Sequence, residues 1–438
     1  MNDRFPTTKD ELRDMLHKGM GRAVLYLLGQ DLSQYRDLIL ECCLHHYAYD
    51  RQVEDTRAEY LYPLITRSCD EDHYRNQIVG ALPSADDDDV GQLLDFAVLF
   101  ARDGHEPARE AIYDKLRQSV DDPEWDGDTE PVELDGAAGL LTLLRIAGEA
   151  GRRMTEWDIV YLIEQAIEAS SVDEVRSALC AAAADRRVAR TLESVGYTGP
   201  SAVEQGERWR ERQKAAAGHS RYGFSENTTW EEARDRVDSP LVLFSWARLA
   251  SDSEFAKAAG ALDPLDDPER LRFHLRAFWK REFPLDPAPL IALVDHSDER
   301  VAIAALSALE NVEHPAVREL LERLRQGHPL YEHCIGLLQS NYQPGDEAIM
   351  IDMLERETDP DRLHSLAMDT RQVYEDNPVP EGMQAMLLAY EKTPCSMCRY
   401  GCVEVIESLG LVPDWMIEEC LYDADESARE LAAKLKQA

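Results

Sequence analysis

Nine cysteines and twelve histidines are spread through this 438-residue chain, and they offer its most chemically suggestive spacings. The densest thiol group is Cys395-x-x-Cys398-x-x-x-Cys402, with Cys420 further on. Pro394 predicts a helix start, which places Cys395 where backbone N–H groups and the helix dipole favour a thiolate, and puts Cys395, Cys398 and Cys402 on one helix face. Two chemistries follow. The C-x-x-C pair could cycle between dithiol and disulfide, or Cys420 on a neighbouring helix could complete a four-thiolate zinc site. Cysteine also packs as a small apolar side chain, and Cys402 and Cys420 fall at core-facing positions, so packing is the first reading. No thioredoxin-like strand precedes the motif, which counts against the redox use.

A second candidate is the acidic stretch from Asp122 through Glu124, Asp126, Gly127 and Asp128 to Glu133. It approximates a twelve-residue calcium loop, with acids at positions one, three, five and twelve and glycine at six. Glutamate at position three, Thr129 where an apolar residue belongs, and the lack of a sister loop all depart from that pattern. A solvated acidic loop is the reading kept. Cys42, His46 and Asp50 follow at helical spacing, but three ligands along one straight face span too far for a single metal, so packing at a helix interface is expected. Asp86-Asp87-Asp88-Asp89 precedes a helical pattern and reads as capping and solubility. No Gly-rich phosphate loop and no nucleophile elbow occurs, so no catalytic residue is assigned.

Charge narrows the partners. With 47 basic and 85 acidic residues the formal net charge is −38. Such a field repels nucleic acid and anionic membranes. The basic stretch Arg208, Arg210, Arg212, Lys214 and Arg221 is local and interrupted by Glu207 and Glu211. The N-terminus lacks secretory grammar, and the longest apolar run, Phe96 to Ala101, is far below the ~20 residues that span a bilayer. A cytoplasmic protein with reduced thiols is expected.

The elements carrying these residues read almost everywhere with a helical period. Leu290, Leu293 and Val294 form one apolar face. Asp298 and Glu299 signal a helix start, and Val301, Ala304, Ala305, Ala308 and Val312 follow. The same phase recurs 127 residues on at Ala428, Leu431, Ala432 and Leu435, and 62 residues on at Leu363, Leu366 and Ala367. First helices are expected to open near 287, 314, 345, 379 and 413, several of them at proline, with spacings of 27, 31, 34 and 34 residues. That interval holds two short helices and two tight turns, one α-solenoid unit. Helical faces continue upstream through Leu93–Val98, Ala108–Leu116 and Leu140–Ala147. A polar break at 197–229 divides the chain into an N-terminal helical region, 1–196, and a C-terminal repeat region, 230–438.

Pro289-Leu290-Ile291-Ala292-Leu293-Val294-Asp295, then Asp298-Glu299-Arg300-Val301 and Ala304-Ala305-Leu306-Ser307-Ala308-Leu309, resemble a HEAT repeat, closest to the bacterial type first named for phycobilin lyases. The resemblance extends to Asp423–Leu435 and covers about the last third of the chain. It implies an all-α fold of antiparallel helix pairs stacked in a curved superhelix that binds proteins. It transfers no catalytic residues, since HEAT repeats carry no activity of their own. HEAT-like DNA glycosylases need a basic groove, and a di-iron HEAT family needs repeated His-Glu pairs, of which this chain has only His105-Glu106.

The expected function is a non-enzymatic scaffold whose concave surface binds a partner protein with a basic surface. Trp209, Tyr222, Phe224 and Trp230 are candidate anchors, weighed against plain packing of a loop. No cofactor is expected. The alternatives are a metal- or redox-linked regulator acting through Cys395, Cys398 and Cys402, and a small-molecule lyase or hydrolase in the groove.

Overall fold

A computed structural model describes residues 4–122, 125, 127–216, 222–237 and 239–437. All regular secondary structure among them is helical, with no strand. No helix among them is long and apolar enough to cross a membrane.

Local sequence explains where the helices begin. Thr8 accepts a hydrogen bond from the Glu11 amide and Glu11 accepts one from the Thr8 amide, a reciprocal cap that opens Lys9–His17. Thr155 with Asp158 and Thr229 with Glu232 open Glu156–Ala169 and Trp230–Arg234 in the same way. The proline-marked starts appear as Ala288–Leu293, Pro315–Leu324 and Asp414–Cys420, and Gly345 and Pro380 lead into Glu347–Arg356 and Met383–Lys392. Proline suits these first turns because the amide it lacks would have no intrahelical acceptor. Lys392 closes the far end of Glu347–Arg356. Its ammonium donates to the carbonyls of Leu354, Glu355 and Glu357 at 2.6, 2.9 and 3.0 Å.

The chain divides into two compact units: Met1–Ala215 together with Asp414–Ala438, and Ala216–Pro413. In the first, Val90–Arg102 packs on Ala58–Thr66 and Glu106–Gln118, and Glu130–Ala150 packs on Glu156–Ala169 and Arg186–Glu193. Glu130–Ala150 bends at Gly136, where φ is +54° and ψ −126°, a backbone open to glycine alone. The last helices join this unit rather than the one that precedes them in sequence. Asp414–Cys420 lies against Gly21–Leu28 so closely that a Cβ on Gly21 would stand 1.9 Å from the Glu419 carbonyl oxygen. The Ala424 amide donates to the Gly19 carbonyl at 3.0 Å.

In the second unit Ala288–Leu293 packs on Glu299–Leu309, and Met383–Lys392 packs on Ser396–Ser408 and Glu347–Arg356. The repeated apolar positions Val301, Ala304, Ala305 and Ala308 are buried, as are Leu363, Leu366 and Ala367. After Pro315–Leu324 the chain forms short turns, Pro329–His333, Ile335–Leu337 and Leu338–Asn341, in place of a regular second helix. Gly336 passes so near the helix Glu299–Leu309 that a Cβ there would meet Glu310 Cγ at 2.8 Å.

The stretch 197–229 is not a simple polar loop. Ala202–Ala216 is a helix, and Tyr197, Ala202 and Val203 are buried in the first unit. Arg210 pairs with Glu164 and Arg212 with Glu156 at 3.1 Å; Arg221 lies outside the described residues. Short-range polarity hid an amphipathic helix whose charged side is neutralised by its neighbour.

Candidate functional site

Cys395 is the N-cap of Ser396–Ser408, with extended backbone, and its Sγ accepts the Cys398 amide at 3.5 Å. That cap aims both thiols at Pro360–Asp376, the helix packed alongside. There His364 meets them, with its Nδ1 3.5 Å from Cys398 Sγ. The ligand atoms of His364, Cys395 and Cys398 all lie within 4.8 Å of one another. Both cysteines are buried and the histidine is half-buried. Thr393 Oγ1 accepts the Cys395 amide at 3.4 Å and fixes the turn that presents the sulfur.

The hydrogen bond with Cys395, then burial, holds the Cys398 thiol well above its ordinary pKa. Burial pushes Cys402 up to about 12. Arg371 opposes both rises. Its side chain lies where a Cβ on Gly401 would fall, 2.7 Å from Cδ and Nε, so Gly401 is the residue that lets this cation approach.

The expected four-thiolate set needs correction. Cys395 and Cys398 come together, but the third member is His364. Cys402 is buried one turn further on and lies outside the set, and Cys420 belongs to the first unit, buried in Asp414–Cys420. His364 carried a signal that went unread. It stands 34 residues before Cys398, and the packing of Pro360–Asp376 on Ser396–Ser408 brings the two side by side.

The other candidates disperse. Glu124 and Asp126 of the calcium loop lie outside the described residues; Glu133 sits in the first turn of Glu130–Ala150 and pairs with Arg102 at 2.8 Å, and Asp122 accepts Arg152 through its backbone carbonyl. The helix Arg36–Leu44 ends before His46 and Asp50, so Cys42, His46 and Asp50 share no helix face. Asp89 does not cap its helix through its side chain; its carboxylate holds His45 Nδ1 at 2.7 Å and the His46 amide at 2.8 Å. Phe224 and Trp230 are buried, so of the two readings weighed for them packing is the one that fits. Trp230 lies on His274, with centroids 4.6 Å apart, because the indole face covers an imidazole that burial keeps neutral, its pKa pushed down to about 4. Tyr222 is half-buried, and Trp209 packs half-buried on the first unit's core.

A second feature was invisible in sequence. Within the first unit, a recess of about 570 Å³ is lined by Asp55, Glu59, Asp95, Glu133 and Glu426 against only two cations, Arg102 and Arg429. Thr56 donates its hydroxyl to Asp95, and Arg429 pairs with Glu59. Burial raises Asp95 to about 6 and, nearby, Glu130 to about 7. In the second unit burial raises Glu310 to about 8 and Asp369 to about 6.

These four acids set a pH dependence. Each binds its proton more tightly folded than unfolded, so its contribution is full below the ordinary carboxylate pKa and is lost as pH rises through the folded value. Stability toward urea is therefore expected to fall between pH 5 and pH 8, by on the order of 1 kcal/mol for each acid, partly offset below about pH 6.5 by His274, whose lowered pKa works in the opposite sense. Glu130→Gln with Glu310→Gln should flatten the slope. A midpoint that rises over this range would contradict the assignment.

The class defined so far is an all-helical protein with a His-Cys-Cys cluster in one unit and an acid-lined recess in the other. Comparison with family models, with curated proteins and with solved structures returns no match.

Proposed function

We propose that the chain is a HEAT-like helical-repeat scaffold, non-enzymatic, whose concave surface binds a partner protein that presents a basic surface. The observation carrying this reading is the recess of the first unit, where five carboxylates face two arginines. Such an excess attracts lysine and arginine side chains, and the net charge of −38 extends that attraction over the whole molecule. The repeated apolar phase, together with consecutive helices packed on one another in both units, supports stacked antiparallel pairs and the concave surface such stacks present. The same charge disfavours nucleic acid as the partner.

An arginine-rich peptide is the probe. Its binding to the full chain, followed by calorimetry, should weaken steadily with added salt. Asp55→Asn and Glu59→Gln should each weaken it about two- to fivefold, the range expected of partly exposed ion pairs. Equal binding of a glutamate-rich peptide, or insensitivity to salt and to both substitutions, would refute the proposal.

A further inference from the structure

We propose that His364, Cys395 and Cys398 form a zinc site with three protein ligands and a fourth position left to water or an incoming donor. The geometry is close to what the ion requires. Zinc takes sulfur at about 2.3 Å and imidazole nitrogen at about 2.0–2.1 Å, so tetrahedral ligand atoms stand about 3.5–3.8 Å apart. Cys398 Sγ and His364 Nδ1 are already 3.5 Å apart, and no separation in the set exceeds 4.8 Å. Closing the set around an ion moves side-chain atoms by about 1 Å or less, within what rotamers absorb without backbone change.

Charge points the same way. The two thiols release their protons to solvent on binding, and two thiolates with one neutral imidazole exactly balance a divalent cation. A buried site then holds no net charge, the condition under which ions are tolerated away from water. Soft sulfur with nitrogen selects zinc over magnesium or calcium, and three protein ligands are the pattern of sites that keep one position open. Cys395 is held in place by its role as N-cap and by Thr393, which accepts its amide.

The test uses the full-length chain, reduced and stripped with chelator, then titrated with Co(II) and competed with Zn(II). One metal per chain is expected, with the thiolate-to-cobalt charge-transfer band and the intense visible absorption of a tetrahedral centre. Cys395→Ser preserves the helix cap, because serine is a preferred N-cap residue, and removes only the thiolate. It should keep the circular-dichroism melt while about halving the charge-transfer band and weakening metal binding by more than about tenfold. His364→Gln should keep the charge-transfer band and lose at least about tenfold in affinity. Cys402→Ser and Cys420→Ser should bind as the parent does. The proposal is overturned if no tetrahedral spectrum forms, if His364→Gln binds as tightly as the parent, or if Cys402→Ser loses the band as Cys395→Ser does.

Discussion

Replacing Glu419 by alanine is expected to destabilise the first unit by about 3–5 kcal/mol. Its carboxylate is buried against Arg22, whose Nη2 and Nε both reach Oε2, at 2.8 and 3.0 Å. Arg22 is only 2% exposed. Arg4 approaches the other oxygen at 3.6 Å and stacks on Trp415. Alanine at 419 therefore removes the carboxylate that both guanidinium groups approach, one of them buried. The two backbones run close here: a Cβ on Gly21 would stand 1.9 Å from the Glu419 carbonyl oxygen. With a urea slope of about 2 kcal/mol/M, the midpoint of this unit should drop by about 1.5–2.5 M. Arg22→Met combined with Glu419→Leu should recover most of the loss, because it removes both charges while keeping the volume. A midpoint unchanged by Glu419→Ala would mean the pair does not hold the C-terminal helices in place.

Trp246→Ala is expected to cost the second unit about 3–5 kcal/mol. The ring is fully buried in Pro240–Ala247, lies 5.4 Å from Trp230, and donates its indole N–H to the Thr228 carbonyl at 3.0 Å. Truncation opens a cavity beneath Trp230 and deprives a buried carbonyl of its donor, two penalties that add at one site. Trp246→Phe keeps most of the volume and should recover more than half of the loss. Unfolding followed by circular dichroism, which does not depend on the deleted fluorophore, measures both. Equal midpoints for Trp246→Ala and the parent would show that this aromatic group lies on the surface rather than in the core.

The helical elements were readable because their causes are local. Proline at 287 and 315, the Asp298 cap and the apolar phase at Val301 to Ala308 each act within a turn or two, and each appears in the folded chain where the sequence puts it. The polar stretch beyond Tyr197 was misread for the converse reason. The carboxylates that neutralise Arg210 and Arg212 lie on Glu156–Ala169, dozens of residues upstream, so the local pattern looked like a linker.

The candidate sites divide along the same line. Cys395 and Cys398 are three residues apart, and one helix start is enough to bring them together. His364 joins them only through packing of one helix on another, and the acid-lined recess gathers Asp55, Asp95, Glu133 and Glu426 from four separate stretches of chain. The docking of Asp414–Cys420 onto Gly21–Leu28 is likewise set by close contact between distant segments. Capping and periodicity are encoded in neighbours along the chain and so can be read from it. Which faces meet is decided by burial and close packing summed over the whole fold, and no short window of residues contains that sum.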